Sequence, residues 1–183
     1  MGIFSNHKFA CTVMIVLIIG SFFLGSSRSL HSLTQEAETI FYEGSRGDGI
    51  GIYYDIEANK GIASNVLTIA NRYITNEEDP ALIRLQKDLD ALKAAKTPAQ
   101  LYEQNQAVTQ SVIEICGLLT NMEIEDRDYN YCLSLPLDMD ENNRRMSRDA
   151  YNDAAREVNA KLTVLPADVL KNVVGVKELH IFE

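Results

Sequence analysis

The sequence predicts an all-α protein: one N-terminal transmembrane helix followed by an antiparallel bundle of about four helices. Three observations carry this. Phe9 to Gly25 is a run without a single charge. Downstream, apolar residues recur at steps of three and four wherever their pattern is regular. Strand signals are weak, and the one stretch with extended character, residues 173–182, would have no partner strand.

The apolar run is the first element. At 1.5 Å per residue it reaches roughly 25 Å as a helix, against a hydrocarbon core of about 30 Å, so it can just span. A secretory leader has a shorter core of about 7 to 15 residues, which favours a retained anchor, while Gly25, Ser26 and Ser27 supply the small residues a signal peptidase needs. Cleavage is therefore the alternative. Cys11 sits too early in the run to be a lipoprotein cysteine. Lys8 precedes the run and Glu36, Glu38 and Glu43 follow it, so the positive-inside rule puts the N-terminus in the cytoplasm, with Arg28 a single contrary charge. The expected organisation is a cytoplasmic tail at 1–8, a signal-anchor helix at 9–27, a juxtamembrane segment with a glycine-rich loop at 28–51, and a helical bundle at 52–183 outside the cytosol.

Beyond residue 28 the chain carries 15 basic and 26 acidic side chains, a net of −11. That balance argues against nucleic acid as a partner. About 155 residues make one domain and bury enough surface for a core without staples. The acidity reads as a solvated surface.

Before the bundle, Gly44 to Gly51 holds four glycines in eight residues and reads as a loop. Its Arg46-Gly47-Asp48 tripeptide is explained by a glycine turn, without an adhesion role. The first bundle helix runs from Ile52, with Ile56, Ala63, Val66, Ala70 and Tyr73 on one side and Asn59, Lys60, Asn71 and Arg72 turned elsewhere. Leu82, Leu85, Leu89 and Leu92 mark the second, begun by Asp79 and Pro80. Thr97 and Pro98 begin the third. Its seam, Leu101, Asn105, Val108, Val112, Ile115, Leu119 and Met122, has the regularity of a coiled coil. Asn105 in it either sets register or is partly hydrated near a helix end. A fourth helix is expected after Pro136, with Met139, Met146, Ala150, Tyr151, Ala154, Val158, Leu162 and Leu165 on one stripe that Pro166 stops. Residues 173–182 read as an apolar tail folded back onto the bundle.

Cys116 and Cys132 flank the charged stretch Glu123 to Asp128. If the chain reverses there, the two sulfurs stand at similar height; in one straight helix they would lie about 24 Å apart. A disulfide strap in an oxidising compartment and two separate buried thiols are the two readings.

No constellation announces a reaction. His7, His31 and His180 lie near the ends of the chain, outside the expected bundle helices, and no metalloprotease, CxxC or nucleophile-elbow spacing occurs. Asp138 to Asn142 begins like a calcium loop, but Asn143 stands where glycine is needed and Asp149 where a bidentate glutamate is needed, so helix N-terminal acids explain it better. No enzyme activity, cofactor or metal is expected.

The C-terminal half carries a family likeness: Glu141-Asn142, Arg148, Tyr151-Asn152 followed by Ala154, Asn159, Leu165-Pro166, Gly175 and a closing Phe182-Glu183. These resemble the LemA family, as do Asn65, Val66, Tyr73 and Glu77 earlier in the chain, so the likeness covers about residues 52 to 183. It implies a short cytoplasmic tail, one membrane helix and an all-helical external domain, and it assigns no catalytic residue. The family's Y-P-x-L-K turn is replaced here by Asn121 to Glu125. Bundle packing would occupy Tyr151, Asn152 and Asn159, because buried amides bond neighbouring helices.

The expected function is thus a membrane-anchored envelope interaction or scaffold module. Its partners are membrane lipid through the N-terminal helix and another envelope protein, and its seam serves an intramolecular bundle and a homo-oligomer equally. The alternative is a secreted or surface protein that uses its acidic turns to bind cations or basic peptides.

Overall fold

The computed structural model describes residues 7–165 and 167–183. The stop expected at Pro166, its place in the family motif and most of the 1–8 tail lie outside them. Among the described residues seven helices follow in order: α1 (His7–Glu43), α2 (Ile52–Tyr73), α3 (Pro80–Ala94), α4 (Pro98–Leu119), α5 (Asp126–Ser147), α6 (Ala150–Leu162) and α7 (Ala167–Val174). No strand occurs among the described residues. The chain forms two compact units. One comprises the segment up to Glu38 with Ala154–Leu179, the other Thr39–Asp153 with His180–Glu183.

The larger unit contains the four-helix bundle. Short connections reverse the chain between α2 and α3, α3 and α4, and α4 and α5, and α2 packs against each of the other three. Asp79 Oδ1 accepts from the amides of Ala81 and Leu82 at the start of α3, and Thr97 Oγ1 accepts from Gln100 at the start of α4. Both caps sit directly before the prolines that open those helices. The seams are buried as the spacing requires: Leu82, Leu85, Leu89 and Leu92 on α3, and Leu101 through Leu119 on α4. Met122 falls past the end of α4 and is 43% exposed, so the seam ends one step earlier than the sequence suggests.

Two boundaries differ from expectation. α5 begins at Asp126, ten residues before Pro136, and carries that proline in its interior. Its buried residues Asp128, Cys132, Met139, Asn142 and Met146 keep one 4-3 register across the proline. A continuous seam thus outweighs the roughly 3 kcal/mol cost of proline in a helix. The single stripe expected to reach Leu165 is instead broken at Arg148 and Asp149, where Asp149 Oδ1 accepts from the Tyr151 amide and starts α6. Consequently Asp138 to Asn142 lies mid-helix, neither a calcium loop nor a helix start.

The loop before α2 is a glycine turn. Gly44 adopts φ +74°, and Asp48 Oδ1 accepts from the Ile50 amide. At Gly51 a Cβ would stand 2.4 Å from the carbonyl oxygen of Phe41, so the C-terminal end of α1 can approach only a glycine there. Phe41 is fully buried among Tyr53, Tyr151 and Phe182. The C-terminal residues do fold back onto this unit: His180 lies on the Tyr102 ring, and the Tyr102 hydroxyl donates to the Glu183 carbonyl.

In the smaller unit, the described side chains of α1 between Ala10 and Gly25 are exposed apart from a half-buried Val13, and Met14 to Ile18 and Phe22 to Leu24 all show their apolar side chains. The helix is long and apolar enough to cross a membrane. It continues unbroken to Glu43, so the juxtamembrane segment is helical and His31 lies inside a long helix, contrary to expectation. Cover on α1 begins at Ser26 and Ser27 and deepens at Leu30 and Ala37. Ala155, Val158, Leu162, Leu170 and Val176 complete this unit's buried set. α7 ends on Gly175 at φ +74°, and the Val176 amide reaches back to the Lys171 carbonyl, a Schellman closure.

Candidate functional site: an amide network in the bundle

Extending the 4-3 reading shows why asparagines occupy the core. On α2 the series Ile52, Ile56, Asn59, Ala63, Val66 places Asn59 on the seam, as Asn105 is placed on α4 and Asn142 on α5. All three are buried, Asn59 completely. Asn59 was expected to face away; it is inside because the helical step allows nothing else at that position. Buried amides must find partners, and here they find one another.

Asn59 Nδ2 donates to Asn105 Oδ1 at 2.9 Å and to Asn143 Oδ1 at 3.0 Å, while its Oδ1 accepts from Asn142 Nδ2 at 2.7 Å. Asn105 Nδ2 also donates to Asn143 Oδ1 at 2.9 Å, and Asn143 Nδ2 donates to Thr109 Oγ1. At the other end Arg145 Nη2 donates to Asn142 Oδ1 and, at 2.6 Å, to Asp55 Oδ1. The result is a chain from an ion pair near the surface to a hydroxyl, with α2, α4 and α5 each contributing. Such a network fixes register, because slipping any helix by one turn breaks several bonds together. Asn105, buried and bonded to both Asn59 and Asn143, thus sits where a register residue would.

A second polar knot lies near the α4–α5 turn. Asp128 is fully buried; its Oδ2 accepts from Arg72 Nη1 and from the Tyr73 hydroxyl, each at 2.8 Å, and its Oδ1 has no partner among the described residues. Hydrogen bonding to this carboxylate raises the Tyr73 pKa above the usual phenol value. Beside it, Cys116 and Cys132 are buried, close enough that each affects the other's ionisation. The chain reverses at Thr120 to Glu125, so the two thiols meet at one height as the spacing requires; the structure holds both as free thiols. Burial pushes both thiol pKa values up.

The family-motif positions have varied roles. Asn142 and Tyr73 belong to the two knots, and Tyr151 is buried against Phe41. Glu141 is exposed and pairs with Arg144, while Arg148 is exposed where α5 ends. Asn65 is exposed and lines a groove of about 220 Å³ with Thr68, Arg72, Arg127 and Tyr131. Asn159 does not bond a neighbouring helix as expected, and Asn152 does so only through its Nδ2. Each grips the backbone of the C-terminal tail: Asn152 Oδ1 accepts from the Phe182 amide, and Asn159 both donates to the Leu179 carbonyl and accepts from its amide. Asn152 Nδ2 turns to the Met146 carbonyl at the end of α5. An extended tail leaves its own amides unpaired, and these side chains supply what a second strand would.

Sequence reasoning missed Asp55, Asn59, Asp128, Asn143 and Arg145. The seam step alone locates Asn59, whereas the others require knowing which helices are neighbours. Among the described residues no group of His, Cys, Asp or Glu is placed to hold a metal. The His31 ring bonds to the Ser27 carbonyl of its own helix.

Fold and site together define a helical bundle locked by an internal amide network, joined to a helix apolar enough to enter a membrane. No family model, curated protein or solved structure matches the chain.

Proposed function

We propose that the chain is a single-pass membrane protein of the LemA type, with residues 1–8 cytoplasmic, residues 9–27 spanning the bilayer, and the bundle presented outside the cytosol as a non-catalytic scaffold that docks another envelope protein. The observation that carries this reading is the exposure of α1: Met14, Ile15, Val16, Leu17 and Ile18 are successive positions that face every side of the helix, and each is more than half exposed. A helix that is apolar all round needs an apolar solvent, and lipid is that solvent. Its passage through Gly25, Ser26 and Ser27 as continuous helix supports retention, because proteolysis concentrates in exposed irregular backbone.

The scaffold reading rests on the amide network, whose side chains are spent on one another, and on the surface of α5. There Tyr129, Leu133 and Leu137 recur every four residues and are 41%, 49% and 68% exposed. Alkaline extraction of membranes tests the anchor, and protease added to intact cells tests its orientation. Retention with a cleavable C-terminal domain is expected; release of the full chain into the medium would refute the anchor. Crosslinking from Leu137 in intact membranes, lost on Leu133→Asp, would test the docking role.

A further inference from the structure

We infer that the groove between α2 and α5 binds a small organic oxyanion, a carboxylate or phosphate ester with a short apolar body, held by Arg72 and Arg127. Such a site depends on neither the membrane anchor nor the docking role proposed above.

Helical spacing builds the groove. Asn65, Ile69 and Arg72 recur at steps of four and three on α2, and Arg127, Tyr131 and Leu135 at steps of four on α5, so each set runs as one stripe along its helix. The two helices pack against each other, and both stripes line the same cavity of about 220 Å³. Sites for drug-sized molecules span roughly 300–1,000 Å³, so the occupant here is smaller.

Charge sets the class of ligand. The chain holds 26 acidic side chains against 17 basic ones, yet among the described residues no acid lines this groove while two arginines do. Arg72 is half exposed and spends Nη1 on the fully buried Asp128, which holds the guanidinium in place and leaves the rest of its donor fork without a partner among the described residues. Asp128 is met from inside the bundle by that bond and by the Tyr73 hydroxyl, so Arg127 is the cation left over. It makes no ion pair among the described residues, although Glu123, Glu125 and Asp126 closely precede it, and its guanidinium lies 5.6 Å from the centre of the Tyr131 ring. That ring contact keeps Arg127 beside a wall of the groove.

An open guanidinium fork matches the paired oxygens of a carboxylate or phosphate. The Asn65 amide, also without a partner among the described residues, adds neutral donors. Ile69, Leu135 and the Tyr131 ring supply apolar surface beside these donors, which selects an anion with an organic body over a bare ion. The preference is opposite in sign to the cation or basic-peptide binding that the overall acidity suggests.

The chain has no tryptophan, so a single one reports without background. Tyr131→Trp keeps an aromatic ring against Arg127, and Leu135→Trp gives a second reporter in the same groove. Both full-length proteins, with helix content checked by circular dichroism, would be titrated in non-ionic detergent at low salt with butyl phosphate, butyrate and neutral 1-butanol. A saturable change in emission with one or both anions, half-complete near about 1 mM, and none with butanol is expected. Adding Arg127→Gln should weaken binding at least about tenfold, whereas Arg84→Gln, a half-exposed arginine on α3, should leave it unchanged. A response to dihexanoyl phosphatidylglycerol below its micellar concentration, lost with Arg127→Gln, would identify a lipid headgroup as the source of the anion; silence there beside a butyl phosphate or butyrate response would identify a soluble one. An equal response to butanol, indifference to Arg127→Gln, equal weakening by Arg84→Gln, or no saturation at either reporter up to about 20 mM would each overturn the site.

Discussion

Replacing Asn59 with alanine tests the amide network at its centre. The side chain is fully buried and serves three partners. Asn143 Oδ1 retains the bond from Asn105, but Asn105 Oδ1 loses its donor and Asn142 Nδ2 its acceptor. Each orphaned buried group costs about 1–3 kcal/mol, so the two together cost about 2–6 kcal/mol, with water entering the space left by the amide pulling the figure toward ~3 kcal/mol. The control is Thr109→Val, which removes one weaker 3.2 Å bond at the edge of the network and should cost about 1 kcal/mol. Urea unfolding of the full chain in mild detergent, followed by far-UV circular dichroism, measures both. A loss below ~1 kcal/mol for Asn59→Ala at an unchanged denaturant slope would show that these amides are not bonded as described, and the register argument would fall with them.

Gly51→Ala forces a Cβ against the Phe41 carbonyl and should cost about 1–3 kcal/mol by the same assay, whereas Gly47→Ser, which has open space but φ +66°, should cost less. Tyr73 donates to Asp128 only while protonated and its folded pKa is raised, so its contribution is complete below the ordinary phenol range near pH 10 and disappears as pH rises through the folded value; the stability gap between the native chain and Tyr73→Phe should close with alkali. Cys116 and Cys132 should react slowly with alkylating reagents in the folded chain, because burial disfavours their thiolates, and rapidly in urea. In an oxidising compartment they should form the strap while the hairpin is still opening and closing, and free thiols at both positions in non-reduced protein isolated from the envelope would refute it.

Much of the architecture is legible in the sequence because its signals are local. Asp79-Pro80 and Thr97-Pro98 specify helix starts by their own chemistry, and the uncharged run specifies α1 by length. What failed depended on tertiary packing. Pro136 is read as a helix start when considered alone, yet the seam on both sides of it holds the helix together. Asp149 breaks the last stripe through a cap that a polar residue inside an apolar pattern does not advertise. Asn59, Asn105 and Asn142 share a seam position, but that their amides face one another depends on which helices are neighbours. The asparagines of α6 hold the C-terminal tail, and Asn152 also the end of α5; the tail contacts are not legible in the sequence because an extended tail without a strand to pair with leaves no periodic trace.

Pro136 also affects the cysteine pair. It has no amide hydrogen, so the carbonyl of Cys132, four residues earlier, lacks its helical donor. The weakest turn of α5 therefore starts at the residue whose sulfur meets Cys116. Closing a disulfide demands small backbone shifts, and a helix with a built-in soft joint at that point yields where a perfect one would resist.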